Sequence, residues 1–207
     1  MKTIVCYGDS NTYDYMADPG HPQGWRRYEE SRRWPAVLQQ TLGSGYQIRE
    51  EGVIGRTTAF SDTLREGMNG LETLPERLAA NAPVDLLIFM LGTNDVKERF
   101  GLTPEDIAAG MERLVTCAAA LPVWKDGRAK ILVMAPPHIS WEWNPDYHRK
   151  SARLGELYRE AAGRHHCVFL DTEGIGIFND MDHMHLTPEG HLRLARKLAE
   201  LVPEIIG

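Results

Sequence analysis

The sequence predicts an α/β domain built on a parallel sheet with helices packed on both faces. Three observations predict it. Short apolar runs alternate with longer segments of helical period from one end of the chain to the other. The strongest run, Val84 to Leu91, is continuously apolar from Leu86 onward, as a central strand covered on both sides must be. Finally, polar segments rich in Gly, Asp, Ser and Asn fall where such strands would end, the place where open parallel sheets bind their ligands.

Taken in order, the first strand is Thr3 to Tyr7, and a helix follows over Trp34 to Leu42. A weaker strand spans Tyr46 to Glu51, a helix Leu74 to Asn81, and the central strand Val84 to Leu91. The next helix is the clearest: Thr103 suits an N-cap, Pro104 suits the first helical position, and Ile107, Met111, Leu114, Val115 and Ala118 form one stripe. Lys130 to Ala135 is a strand, Tyr147 to Arg164 a helix and Cys167 to Leu170 the last strand. Thr187 and Pro188 then open a final helix whose Leu192, Ala195, Leu198, Ala199 and Val202 face one way. The Pro- and Gly-rich stretches at 19–24 and 136–145 read as loops.

With 207 residues, 43% hydrophobic and 25% charged, the chain reads as a single domain, residues 1–207, without repeats, linkers or low-complexity tracts. A balance of 23 Lys and Arg against 29 Asp and Glu gives a net charge of −6, so the basic excess required of a nucleic-acid binder is missing. The pairs Arg26-Arg27 and Arg32-Arg33 read as a solvated face. Cys6, Cys117 and Cys167 each lie in an apolar stretch and are expected to be reduced, buried thiols. No signal-peptide pattern and no apolar run of transmembrane length is visible, and a cytoplasmic protein without a membrane partner is the expectation.

Three segments carry chemistry. Gly8-Asp9-Ser10-Asn11 follows the first strand, Gly92-Thr93-Asn94-Asp95 follows the central strand, and Asp182-His183-Met184-His185 precedes the last helix. A serine hydroxyl is a poor nucleophile until a base takes its proton, and that base needs a partner to fix its tautomer. Asp182 and His185, three residues apart, can project to the same side, whereas His183 points away. Attack on an ester creates an oxyanion that needs donors: the Asn94 amide, the Ser10 N–H, and a third from Gly55, whose missing side chain permits close approach. Asp9 and Asp95 read as carboxylates that hold the turns. His138, His148, His165, His166 and His191 read as structural or solvent-facing, Trp34 as core, and Trp141 and Trp143 as either pocket or packing residues. A metal at His183 and His185 has no supporting ligand motif.

Gly8-Asp9-Ser10, Gly55, Gly92-x-Asn94-Asp95 and Asp182-x-x-His185, in that order and spanning nearly the whole chain, resemble the four blocks of the SGNH hydrolases, or GDSL-type esterases and lipases. Glu50-Glu51-Gly52 leading into Gly55-Arg56-Thr57-Thr58, and Met90 to Asp95, are similar to the arylesterase and acyltransferase branch. The resemblance implies a three-layer α/β/α sandwich around a flavodoxin-like, five-stranded parallel sheet. It implies Ser10 as nucleophile, His185 as base, Asp182 as its orienting acid, and Ser10, Gly55 and Asn94 as the oxyanion hole. It implies no cofactor, a small ester as substrate, and a homo-oligomer. Asn11 stands where the name motif has leucine, a departure expected to bear on the pocket more than on the triad. Two alternatives stand beside an esterase of short-acyl esters: a carbohydrate O-acetyl esterase using the same residues, and a flavodoxin-like phosphate or nucleotide module, disfavoured because no glycine-rich cradle or P-loop lysine follows the first strand.

Overall fold

The computed structural model describes residues 1–207. Five parallel strands form the sheet: β1 (Lys2–Gly8), β4 (Tyr46–Gly52), β5 (Leu86–Met90), β6 (Ile131–Ala135) and β7 (Val168–Asp171), in the order β4-β1-β5-β6-β7. Between β1 and β4 a short antiparallel hairpin, β2 (Tyr15–Ala17) and β3 (Trp25–Arg27), stands apart from the sheet. The loop expected at 19–24 is its turn.

Side-chain alternation sorts the core into two layers. Val5, Tyr7, Leu87, Phe89 and Val133 face α3 (Gly70–Ala80), α4 (Pro104–Ala120) and α5 (Pro145–Arg164). Ile4, Cys6, Leu86, Ile88 and Leu132 face α2 (Trp34–Leu42) and α6 (Pro188–Ile206). In α6, Leu194, Leu198, Val202 and Ile206 recur at helical spacing and are all buried, each contributing about 1.5–3 kcal/mol. At the start of α4, Thr103 Oγ1 accepts from Asp106 N while the Asp106 carboxylate accepts from Thr103 N, a reciprocal cap. No helix is long and apolar enough to cross a membrane.

Four expectations need correction. α3 begins at Gly70, four residues before the expected Leu74, because Asn69 Oδ1 caps Leu71 N and Glu72 N, and the helix accommodates Pro75 in its interior. Of the three cysteines only Cys6 is buried; Cys117 in α4 and Cys167, just before β7, are partly exposed. Arg33 does not belong to a solvated face: it is buried and pairs with Glu50 at 2.6 Å. The last strand runs one residue later than expected, over Val168–Asp171.

Register positions the site. Gly8 at the end of β1 is paired with Gly52 of β4 on one side and Met90 of β5 on the other. The three strands therefore end flush, and the loops carrying Ser10, Gly55 and Asn94 leave the sheet at one level. The chain leaves β1 toward β4 and leaves the neighbouring β5 toward β6, in opposite directions, so the loops after β1 and β5 flank the point where the strand order reverses.

Candidate active site

Ser10 is the first residue of α1 (Ser10–Tyr13), a single helical turn capped by Asp9, whose carboxylate accepts from Asn11 N at 2.9 Å. As the first helical residue, its N–H has no intrahelical acceptor. Ser10 Oγ lies 2.8 Å from His185 Nε2, and His185 Nδ1 lies 2.8 Å from Asp182 Oδ2. The other oxygen, Asp182 Oδ1, accepts from Met184 N at 3.1 Å and His185 N at 3.0 Å, so the carboxylate orients both the imidazole and the backbone that carries it. Burial pushes the Asp182 carboxyl up, but the His185 ring and the backbone donors outweigh it and hold the group below its ordinary value. The acid therefore stays ionised beside its histidine. On the remaining face of His185 lies the ring of Tyr15, 4.1 Å away between centroids, and Trp25 stacks on Tyr15 in turn.

Asn94 is buried in the turn after β5. Its Nδ2 donates to Arg56 O at 3.1 Å, which leaves the second amide hydrogen uncommitted, and its Oδ1 accepts from Lys97 Nζ at 2.6 Å. Arg56 O and Lys97 thus together decide which way round the amide sits, a role of Lys97 that sequence reasoning missed. Gly55 adopts φ +91°, and a Cβ there would come within 2.5 Å of the Arg65 guanidinium. Its N–H donates to no protein acceptor. Asp95 ties this loop to that of Asn94: its carboxylate accepts from Thr58 N at 3.0 Å and Thr58 Oγ1 at 2.6 Å. Desolvation pushes Asp95 up to about 6 against those bonds. Asp9 and Asp95 are both turn-holding carboxylates, as expected.

The structure brings Ser10, His185 and Asp182 together in one hydrogen-bonded chain and joins the Asn94 loop to the Gly55 loop. His183 is not part of that chain; it takes a left-handed backbone, φ 50°, and only its main chain bonds, to Asn179 and Ser140. No group of three or more His, Cys, Asp or Glu side chains converges as a metal site. His191 is buried beside Asp14 at 3.4 Å, and burial pushes its imidazole down to about 3, so it stays neutral. Trp34 is core, whereas Trp141 and Trp143 are 52% and 43% exposed. Both stand on the loop whose Ser140 N bonds His183 O, and they rest edge-on against His148 and Tyr147. Asn11, expected to bear on the pocket, bonds instead to the backbone around His185.

A sequence profile of the GDSL-like lipase/acylhydrolase family matches residues 6–193. The chain belongs to this family. Solved structures of GDSL-type esterases share its fold over full length. An aryl esterase from M. smegmatis is 34% identical with a TM-score of 0.90, the match covering 99% of this chain and 100% of that one. Est24, a carbohydrate acetylesterase from Sinorhizobium meliloti, is 33% identical with a TM-score of 0.88, covering 99% of each chain. A carbohydrate acetylesterase family member from the same organism is 35% identical with a TM-score of 0.90 and full coverage of both. No curated protein sequence matches the chain. Fold and family together make this GDSL-type chain an α/β SGNH hydrolase.

Proposed function

We propose that the protein is a serine esterase of small, short-acyl carboxylic esters, working through an acyl-enzyme on Ser10. The observation that carries the reading is the unbroken chain from Ser10 Oγ through the His185 ring to the Asp182 carboxylate, with both links at 2.8 Å.

In this mechanism His185 Nε2 takes the Ser10 proton as Oγ attacks the ester carbonyl. The resulting oxyanion accepts from the N–H groups of Ser10 and Gly55 and from the free amide hydrogen of Asn94, three donors fixed before the charge develops. Collapse expels the alcohol, which leaves with the proton held by His185. Water then attacks the acyl-enzyme, giving its proton to the same nitrogen, and the acid is released as Ser10 recovers a proton. An alcohol entering in place of water would give acyl transfer by the same steps. No residue in the scheme calls for a cofactor.

The carbohydrate O-acetyl ester reading uses the same residues, and one feature suits it as well as an aryl ester: the Trp25–Tyr15–His185 stack offers an aromatic wall beside the base, on which a sugar or an aryl leaving group can lie. In the short-acyl reading Trp141 and Trp143, exposed on the loop whose Ser140 N bonds His183 O, would overhang the acyl side and disfavour a long chain.

The test is Ser10→Ala. It should abolish turnover of aryl acetates and labelling by a fluorophosphonate without loss of fold; persisting turnover in pure mutant protein overturns the assignment. A panel of acetyl, butyryl and octanoyl esters beside acetylated sugars decides the substrate class, and faster turnover of octanoyl esters would exclude the short-acyl reading.

A further inference from the structure

Asn11 follows Ser10 directly, and its side chain reaches across to the far end of the chain. Nδ2 donates to Met184 O at 3.2 Å, and Oδ1 accepts from Leu186 N at 3.0 Å. The carboxamide therefore pairs with the main chain on both sides of His185, using one donor and one acceptor as a neighbouring strand would. It is 2% exposed, so both bonds are shielded from water. The Asn11 main chain is anchored separately, its carbonyl accepting from Trp34 Nε1 at 3.0 Å.

The segment between β7 and α6 contains no helix or named strand, and the backbone around His185 is held mainly by side chains. Asn179 holds it from within: its Nδ2 donates to His185 O at 3.0 Å, and its Oδ1 accepts from Asp182 N at 2.9 Å. Asn11 is the tie that joins this segment to the nucleophile's own turn.

We propose that Asn11 is a positioning residue for the reaction, setting the distance and angle between Ser10 Oγ and His185 Nε2 by clamping the two peptides that flank the imidazole. The proposal rests on the reading of Ser10 as nucleophile and His185 as base. Displacement of a base by about 1 Å can cost roughly 100-fold in rate, and nothing else within the residues next to Ser10 reaches the His185 backbone. A leucine, which gives the GDSL motif its last letter, could make neither bond.

The experiment compares Asn11→Leu, Asn11→Asp and Ser10→Ala on 4-nitrophenyl acetate, with thermal melting to verify folding. Asn11→Leu should lower kcat by about 100-fold with KM within about twofold, and slow fluorophosphonate labelling by the same factor. In Asn11→Asp the carboxylate still accepts from Leu186 N but opposes the Met184 carbonyl. Protonation restores the donor, so its kcat relative to wild type at the same pH should rise as pH falls, while the ratio for Asn11→Leu stays flat. A folded Asn11→Leu with kcat within about threefold of wild type, or one whose loss lies entirely in KM, overturns the clamp. If Asn11→Leu fails to fold, the pH-dependent recovery of Asn11→Asp decides alone, and its absence overturns the proposal. Turnover by Ser10→Ala would instead overturn the nucleophile reading on which the clamp depends.

Discussion

Replacing Asp182 by asparagine tests the proposed base more sharply than deleting it. Asp182 Oδ1 accepts from Met184 N and His185 N at 3.1 and 3.0 Å, and the asparagine oxygen can take over both bonds. What changes is the atom 2.8 Å from His185 Nδ1, which turns from an accepting carboxylate oxygen into a donating amide. The ring must then carry its proton on Nε2, facing Ser10 Oγ, and has no lone pair left for the serine proton. On a triad of this kind the wrong tautomer costs about 10⁴ in kcat, or ~5 kcal/mol of barrier, while KM and melting temperature stay near wild type. Asp182→Ala makes the contrast. It loses two backbone contacts, worth about 1 kcal/mol each, and melts earlier, but its Nδ1 is free to bond water and the productive tautomer returns. The alanine variant should therefore turn over at least as fast as the asparagine variant. Steady-state hydrolysis of 4-nitrophenyl acetate, with melting curves on the same preparations, measures both. An asparagine variant retaining more than about a tenth of wild-type kcat, or an alanine variant distinctly slower than it, would refute the tautomer argument and leave Asp182 as scaffold.

Asn94→Ala should lower kcat by roughly 100-fold with KM little changed, as loss of one oxyanion donor does; a pure KM effect would move Asn94 to substrate binding. Lys97→Met removes one of the two bonds that orient the Asn94 amide, and a fall of about tenfold in kcat is expected, measured on the same ester. Asp95, pushed by burial from 3.8 up to about 6, contributes stability that is fully present below 3.8 and is lost as pH rises through about 6. Urea unfolding of Asp95→Asn should therefore show a weaker fall in stability between pH 5 and 7.5 than wild type, and a steeper fall would contradict the shift. His183→Ala should keep most of the activity, and chelators should leave wild type unaffected; inactivation by EDTA would bring back a metal at this turn.

The elements that the sequence disclosed are those whose signal is local. β5 announces itself because both faces are covered, and α4 and α6 because each opens with Thr-Pro and carries one apolar stripe. Ser10, Gly55, Asn94, Asp182 and His185 could be picked out because their residue types stand at strand ends or next to the last helix, where such chemistry is usable. What stayed hidden lacks such a local signal. The start of α3 was masked by Gly70 and Pro75, poor helix residues that the Asn69 cap compensates. β2 and β3 are three residues each, too short for alternation to show. Arg33 looked like a surface cation until Glu50 on the adjoining strand was seen to pair with it. Asn11 and Lys97 act through hydrogen bonds that no residue pattern encodes, one across most of the chain and the other within a single turn.

The bond between Ser10 and His185 joins residues 175 positions apart. During synthesis the serine emerges just after the first strand and must wait for almost the whole polypeptide before its proposed base exists. A nascent or prematurely ended chain can thus bury much of the sheet and still carry an inert hydroxyl. In refolding, recovered turnover becomes a clock for the last event: it should rise only when α6 docks against α2 and draws the preceding turn into place, no earlier than the fluorescence change expected as Trp34 is covered in that same layer.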